Sequence, residues 1–130
     1  MIGLDTSAII DLFKGKQEIR ELVAKIKEPL ASTQINYLEL QFGINPEEKT
    51  HQKEHQYYNK LFRKLIHLNL NTISSVKASE IKWKLKKRGE HIGTFDCTIA
   101  GIFLTNGVQR VITKNEKHFS KVPGIKVISY

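Results

Sequence analysis

Short apolar segments that alternate with longer helix-patterned stretches constrain this chain more than any other feature of its sequence. Met1 to Leu4, Leu30 to Ser32, His67 to Leu70, Val108 to Thr113 and Ile125 to Ile128 read as strands. Between them lie stretches with apolar residues at helical spacing. A first helix runs through Ala8, Ile9, Leu12 and Phe13 to Gly15, and a second carries Ile19, Leu22, Val23 and Ile26. Thr33 to Gly43 is a third, with Ile35, Leu38 and Phe42 as its core stripe. Asn45-Pro46 breaks the chain before a long helix from about Glu47 to Ile66. Two more span Ile73 to Arg88 and Phe95 to Asn106. Strands alternating with helices predict an α/β fold: a central parallel sheet of about four or five strands with helices on both faces. Sites in such sheets lie at the C-terminal ends of strands. Asp5 and Thr113-Lys114-Asn115 occupy such ends.

The chain has 130 residues, 40% of them hydrophobic, which suits one domain over 1–130 with one continuous core. No apolar run approaches the ~20 residues of a membrane span, so no membrane partner is expected. Met1 to Leu4 leads straight into Asp5 without a basic leader, so no secretory signal is expected. Cys97 is the only cysteine, which excludes an intrachain disulfide and a cysteine-based zinc site. A reducing, cytoplasmic location is the expectation. With 21 Lys+Arg against 13 Asp+Glu, the net charge is +8. That balance suits an anionic partner, nucleic acid above all, or else a lysine-rich surface with no partner.

Three carboxylates occupy unusual positions. Asp5 directly follows an apolar strand, Glu39 shares the apolar stripe of its helix, and Asp96 opens a helix whose Ile99, Ala100 and Phe103 face the core. Each has an ordinary explanation alone: a turn, an amphipathic edge, a first-turn acid favoured by the helix dipole. Together they form an oxygen-only donor set of the kind that Mg²⁺ or Mn²⁺ prefers. Such an ion activates water and stabilises charge on a transferring phosphoryl group. Asp11, Glu21, Glu54 and Glu80 fall on helix positions without this logic and read as solvated.

Four segments resemble one family in order. Met1 to Gly15 (MIGLDTSAIIDLFKG), Tyr37 to Gly43 (YLELQFG), Gly93 to Ala100 (GTFDCTIA) and Val111 to Phe119 (VITKNEKHF) resemble the motifs of PIN domains, in particular the VapC toxin type, with a Val122-Pro-Gly124 turn and a final strand after them. The resemblance implies a single PIN-like domain with metal-dependent endoribonuclease activity on RNA. Asp5, Glu39 and Asp96 match the family's metal-binding acids. Asn115 matches a fourth catalytic position that carries Asp or Asn, and its missing charge favours one firmly held ion with a second arriving with the RNA. Thr6, Ser7 and Thr113 match hydroxyl positions that orient the acids or contact phosphate, and Lys114 joins them as a substrate-binding residue. A stand-alone domain of this type implies the toxin of a toxin–antitoxin pair, a cognate antitoxin and a homodimer. A housekeeping RNA-processing nuclease is the alternative.

Three other readings remain at this point. A metal-independent ribonuclease would use histidines, with His91 and His118 as candidates and His51, His55 and His67 more remote. His118, in the His-Phe pair of the fourth motif, reads as structural. A signalling receiver domain needs paired acids after the first strand, where this chain has Asp5-Thr6. A non-catalytic RNA-binding or partner-binding module fits a site with fewer charges. In the nuclease reading Lys14, Lys16, Lys114 and Lys117 form a basic rim for the RNA backbone.

Overall fold

The computed structural model describes all of residues 1–130. Five strands form one sheet: β1 (Ile2–Leu4), β2 (Leu30–Thr33), β3 (Ile66–Leu68), β4 (Arg110–Ile112) and β5 (Lys126–Ile128). Their order is β3-β2-β1-β4-β5, and every pairing is parallel. Gly3 of β1 lies opposite Ala31 on one side and Val111 on the other. The chain thus builds outward from β1 to β3, then crosses back to place β4 on the other flank of β1. The order reverses between β1 and β4, and a crevice opens at such a reversal.

Seven helices cover the sheet: α1 (Thr6–Phe13), α2 (Gln17–Lys25), α3 (Gln34–Phe42), α4 (His51–Lys64), α5 (Thr72–Lys87), α6 (Thr94–Thr105) and the short α7 (Glu116–Phe119). Side chains alternate across the strands, so two cores form. Ile2, Leu4 and Ile112 face Ala8, Ile9, Ile19, Leu40, Tyr58 and Phe62 of α1 to α4. Ala31 and Val111 face Ile81, Leu85, Ile99, Ile102, Phe103 and Phe119 of α5 to α7. Two glycines set how closely this second layer packs. A Cβ at Gly3 would lie 2.7 Å from the Phe103 ring, and one at Gly101 would lie 2.8 Å from the Ala78 amide nitrogen of α5. No helix is long and apolar enough to cross a membrane.

The expected architecture is present, with local differences. The long helix starts at His51 rather than Glu47, and it ends at Lys64 because Ile66 already belongs to β3. The expected stripe of α3 is wrong. Its buried residues are Asn36 and Leu40, while Phe42 is 71% exposed. The cause is position. Ile35 packs against one core while Tyr37 and Leu40 pack in the other, so α3 straddles the join between them. Asp11 also departs from expectation: it is buried rather than solvated, between Lys16, Lys114 and Tyr130. Glu54 is half-buried and accepts the Tyr58 hydroxyl, whereas Glu21 and Glu80 are exposed as expected.

Candidate active site

The reversal between β1 and β4 brings the predicted residues to one place. Asp5 leaves β1 and becomes the N-cap residue of α1, but its side chain does not cap the helix. Its Oδ1 accepts from Asn36 Nδ2 at 2.9 Å, and its Oδ2 from the Thr113 hydroxyl at 2.7 Å. Thr113 follows β4 and is wholly buried, so its hydroxyl orients Asp5, one of the two roles the resemblance implies. Since Thr113 donates to Asp5, Ser7 donates to Thr113 across 3.2 Å. The Lys114 and Asn115 backbone N–H groups donate to Ser7 and Thr113 at 3.0 and 2.9 Å. A directed chain of hydroxyls thus ties the start of α1 to the end of β4.

Glu39 is placed by α3. A reciprocal capping box between Thr33 and Asn36 begins that helix. Asn36 therefore does two jobs: its oxygen accepts from Thr33, and its amide donates to Asp5 and, at 3.0 Å, to Thr6. The Thr6 hydroxyl in turn donates to Glu39 Oε1 at 2.7 Å. Asp96 stands in the first turn of α6 without acting as its cap, which is Gly93. Its Oδ2 lies 2.6 Å from His118 Nδ1 and 3.4 Å from the Asn115 amide nitrogen. An ionised carboxylate only accepts, so in the contact with Asp96 this histidine nitrogen is the donor, and the Asn115 amide nitrogen 3.0 Å from it serves Asp96 rather than the ring.

Asp5, Thr6, Ser7, Ile10, Glu39, Asp96, Lys114 and Asn115 line one cavity of about 400 Å³. Every site residue expected from the sequence is thus here, with Thr113 directly behind the wall. Lys14 and Lys117 are exposed but do not line the cavity. Sequence reasoning missed Asn36 and gave His118 no role in the site. A Thr-x-x-Asn spacing at a helix start, three residues before a semi-buried acid, was the available signal for Asn36. A histidine three residues after Asn115 was the weaker signal for the other. A separate cleft of about 410 Å³ between α3 and α4 contains His51 and His55 but only one acid, Glu48.

The electrostatics of the cavity are those of crowded negative charge. Burial pushes the Asp5 carboxyl up from 3.8 to about 6; hydrogen bonds from Thr113 and the Thr6 backbone hold it down, and the charges of Asp96 and Glu39 raise it further. Burial also raises Glu39, with Asp96 adding to the rise and the Thr6 hydroxyl opposing it. The one cation on the wall, Lys114, is paired with Asp11 instead. No three His, Cys, Asp or Glu side chains close into a preformed metal cage. The acids ring a space rather than a point. Oxygen-only donors of this kind are those that Mg²⁺ takes, one or two carboxylates directly with several waters kept.

Comparison with known proteins identifies the family and the fold. The PIN domain family model matches residues 2–125. A tRNA(fMet)-specific endonuclease VapC from Salmonella typhimurium is 28% identical over 127 residues, covering 95% of this chain and 93% of that one. The fold superposes on VapBC2 from Rickettsia felis, bound to a promoter DNA fragment, with a TM-score of 0.84 at 22% identity over 100% of this chain and 99% of the other. VapBC-1 from nontypeable Haemophilus influenzae gives 0.81 at 27% identity, over 99% and 98%. With the family model spanning nearly all of its length, this chain belongs to the PIN-domain family.

Proposed function

We propose that this protein is a Mg²⁺- or Mn²⁺-dependent endoribonuclease and the toxin of a VapBC-type toxin–antitoxin pair. The observation that carries the reading is the meeting of Asp5, Glu39 and Asp96, from three separate elements, on one cavity of a chain whose net charge is +8. A divalent cation there supplies charge neutralisation for the phosphoryl oxygens and eases deprotonation of water. Asp5, Glu39 and Asp96 would hold it, each fixed by hydrogen bonds. The Thr6 hydroxyl keeps Glu39 pointed inward. His118 and Asn115 hold Asp96 at the cavity edge. Ser7, Asn115 and Lys114 line the same cavity; the Ser7 hydrogen is given to Thr113 and the Lys114 ammonium is paired with Asp11, so the Asn115 side chain is the polar group beside Asp96 for an entering phosphate. His118 is the one histidine in contact with a cavity-lining acid, and its Nδ1 is taken by Asp96, so no histidine pair is assembled there for acid–base chemistry.

The test is cleavage of single-stranded or loop RNA by purified protein, with and without a chelator. Products with a 5′-phosphate and a 3′-hydroxyl, lost on chelation, are expected. Cleavage that survives excess chelator, or that leaves a cyclic phosphate, overturns the metal-dependent reading.

Two partners belong to this proposal. The solved VapBC relatives are complexes with an antitoxin, and the acid-rich cavity suits insertion of an antitoxin arginine, whose planar fork matches a carboxylate. Co-expression with a small protein encoded beside this chain is expected to give a stable, inactive complex. A complex that cuts RNA at full rate would leave the RNA-processing reading in place. A homodimer is supported by the outer face of α5, where Ile73, Val76 and Trp83 are 70, 56 and 63% exposed along one stripe. Sedimentation checks it, and a strictly monomeric protein at micromolar concentration removes the dimer.

A further inference from the structure

Asp11 is a buried carboxylate outside the cavity, and its surroundings are unusually complete. Its side chain is 7% exposed; Oδ1 meets Lys16 Nζ at 3.2 Å, and Oδ2 meets Lys114 Nζ at 3.0 Å and the Tyr130 hydroxyl at 2.7 Å. The Lys114 ammonium also stands 5.6 Å from the centre of the Tyr130 ring, within reach of a cation–π contact. Neither lysine is consumed by this arrangement. Their side chains stay 43 and 47% exposed. Each ammonium has three N–H donors, so each keeps some for another acceptor.

The two lysines also sit in a meaningful place. Lys114 lines the carboxylate cavity, and it lines a second one of about 450 Å³ together with Lys16, Glu18 and Tyr130. The two spaces share this residue, so a strand laid over the acids continues past the lysine pair. Glu18 is exposed and makes no hydrogen bond with either lysine; its charge acts on Lys114, and it is the one acid lining this second cavity. We infer that Asp11 and Tyr130 are positioning residues that fix Lys16 and Lys114 as a seat for an RNA backbone phosphate adjoining the one over the carboxylates. This rests on the endoribonuclease reading, and it goes beyond a diffuse basic rim. A free lysine must be ordered when it binds a phosphate, whereas these two are already held.

The inference makes a prediction opposite in sign to simple charge steering. Asp11→Asn removes a negative charge beside the RNA path, so steering alone would tighten binding. Loss of positioning weakens it instead. In Asp11→Asn, KM for a short single-stranded RNA is expected to rise about tenfold, the scale of one lost hydrogen bond to a charged group, with kcat little changed. The slope of log binding against log salt should shrink by about 0.7, one phosphate contact on a single strand. Tyr130→Phe, which deletes one hydroxyl and keeps the ring, should shift KM in the same direction by a smaller factor, so the inference stays testable if Asp11→Asn does not fold. An unchanged or lowered KM in Tyr130→Phe, with an unchanged salt slope, overturns it. Binding of the same RNA in chelator, read by fluorescence anisotropy, separates the two proposals. A wild type that binds but never cuts, with Tyr130→Phe binding more weakly, keeps the phosphate seat and ends the nuclease reading. A wild type that does not bind RNA at all ends the seat.

Discussion

At Asp5 the fold acts against the usual state of a carboxylate. Its folded value of about 6 lies above the unfolded 3.8. The folded chain therefore holds a proton there that the unfolded chain has already released. This contribution to stability is fully present below pH 3.8 and is lost as pH rises through about 6, a range worth roughly 3 kcal/mol. Asp5→Asn lacks the titration. In melts of metal-free protein, Asp5→Asn should gain on the wild type between about pH 4 and 6 and hold its lead above that. Parallel pH curves for the two proteins would show that the Asp5 carboxyl is not raised. A second prediction concerns His118, whose Nδ1 hydrogen orients Asp96 across 2.6 Å. Groups that orient a metal ligand are commonly worth 10–100-fold in metal affinity or activity. His118→Ala should raise the Mn²⁺ concentration for half-maximal cleavage by about tenfold while keeping most of the rate at saturating metal. An unaltered metal requirement would make this histidine structural, as its sequence context implied. Asp5 and Asp96 were legible because carboxylates stand out where a strand ends or an apolar helix begins; Glu39 was reached through a core stripe that α3 does not have, and the family resemblance is what carried it. Asp11 was not legible, since the Tyr130 hydroxyl that helps bury it comes from 119 residues away.

At the scale of elements, the alternation of short apolar strands with patterned helices was enough to read the sheet and its covering layers. The failures have local causes. Apolar spacing identifies a helix face only when one face is apolar, and α3 carries Ile35, Tyr37, Leu38, Leu40 and Phe42 around much of its circumference. Its burial is decided by the two cores it joins. α7 is only four residues long, too short for periodicity to register. The close approach of α5 and α6 was also unreadable, because Gly101 looks like any small residue in an apolar helix. The structure gives it a definite role: an added Cβ would meet Ala78 N at 2.8 Å and Ser74 O at 2.9 Å, both backbone atoms that cannot rotate away. Gly101→Ala would gain helix propensity on an isolated helix. Here overpacking should dominate and lower stability by about 1–3 kcal/mol. Urea unfolding measures it, and a variant as stable as the wild type would mean that the two helices separate freely.

For the whole molecule, charge distribution joins stability to function. The chain is strongly basic on average, yet three acids face one another in the cavity and the nearest lysine is turned to Asp11. Without a cation, two of those acids have raised pKa values. A bound divalent ion relieves the repulsion and competes with the proton on Asp5. Its stabilising effect should therefore depend on pH in a fixed sense. At about one hundred times its Kd, a one-site ligand adds about 2.7 kcal/mol, roughly 10 °C in Tm for a domain of this size. With Mn²⁺ at a fixed concentration, the rise in Tm should be large at pH 7.5, where Asp5 is ionised. It should shrink at pH 5, where most Asp5 is protonated and the apparent Kd is weaker. Asp96→Asn separates this from general salt effects. Asparagine can still accept the His118 hydrogen bond, so the fold should persist without metal. The variant has one charge fewer in the cavity, so its Mn²⁺-dependent rise at pH 7.5 should be much smaller. Its metal-dependent cleavage should be almost abolished. A Tm rise equal at the two pH values would disconnect the ion from Asp5. An equal rise in wild type and Asp96→Asn would place the ion elsewhere on the molecule.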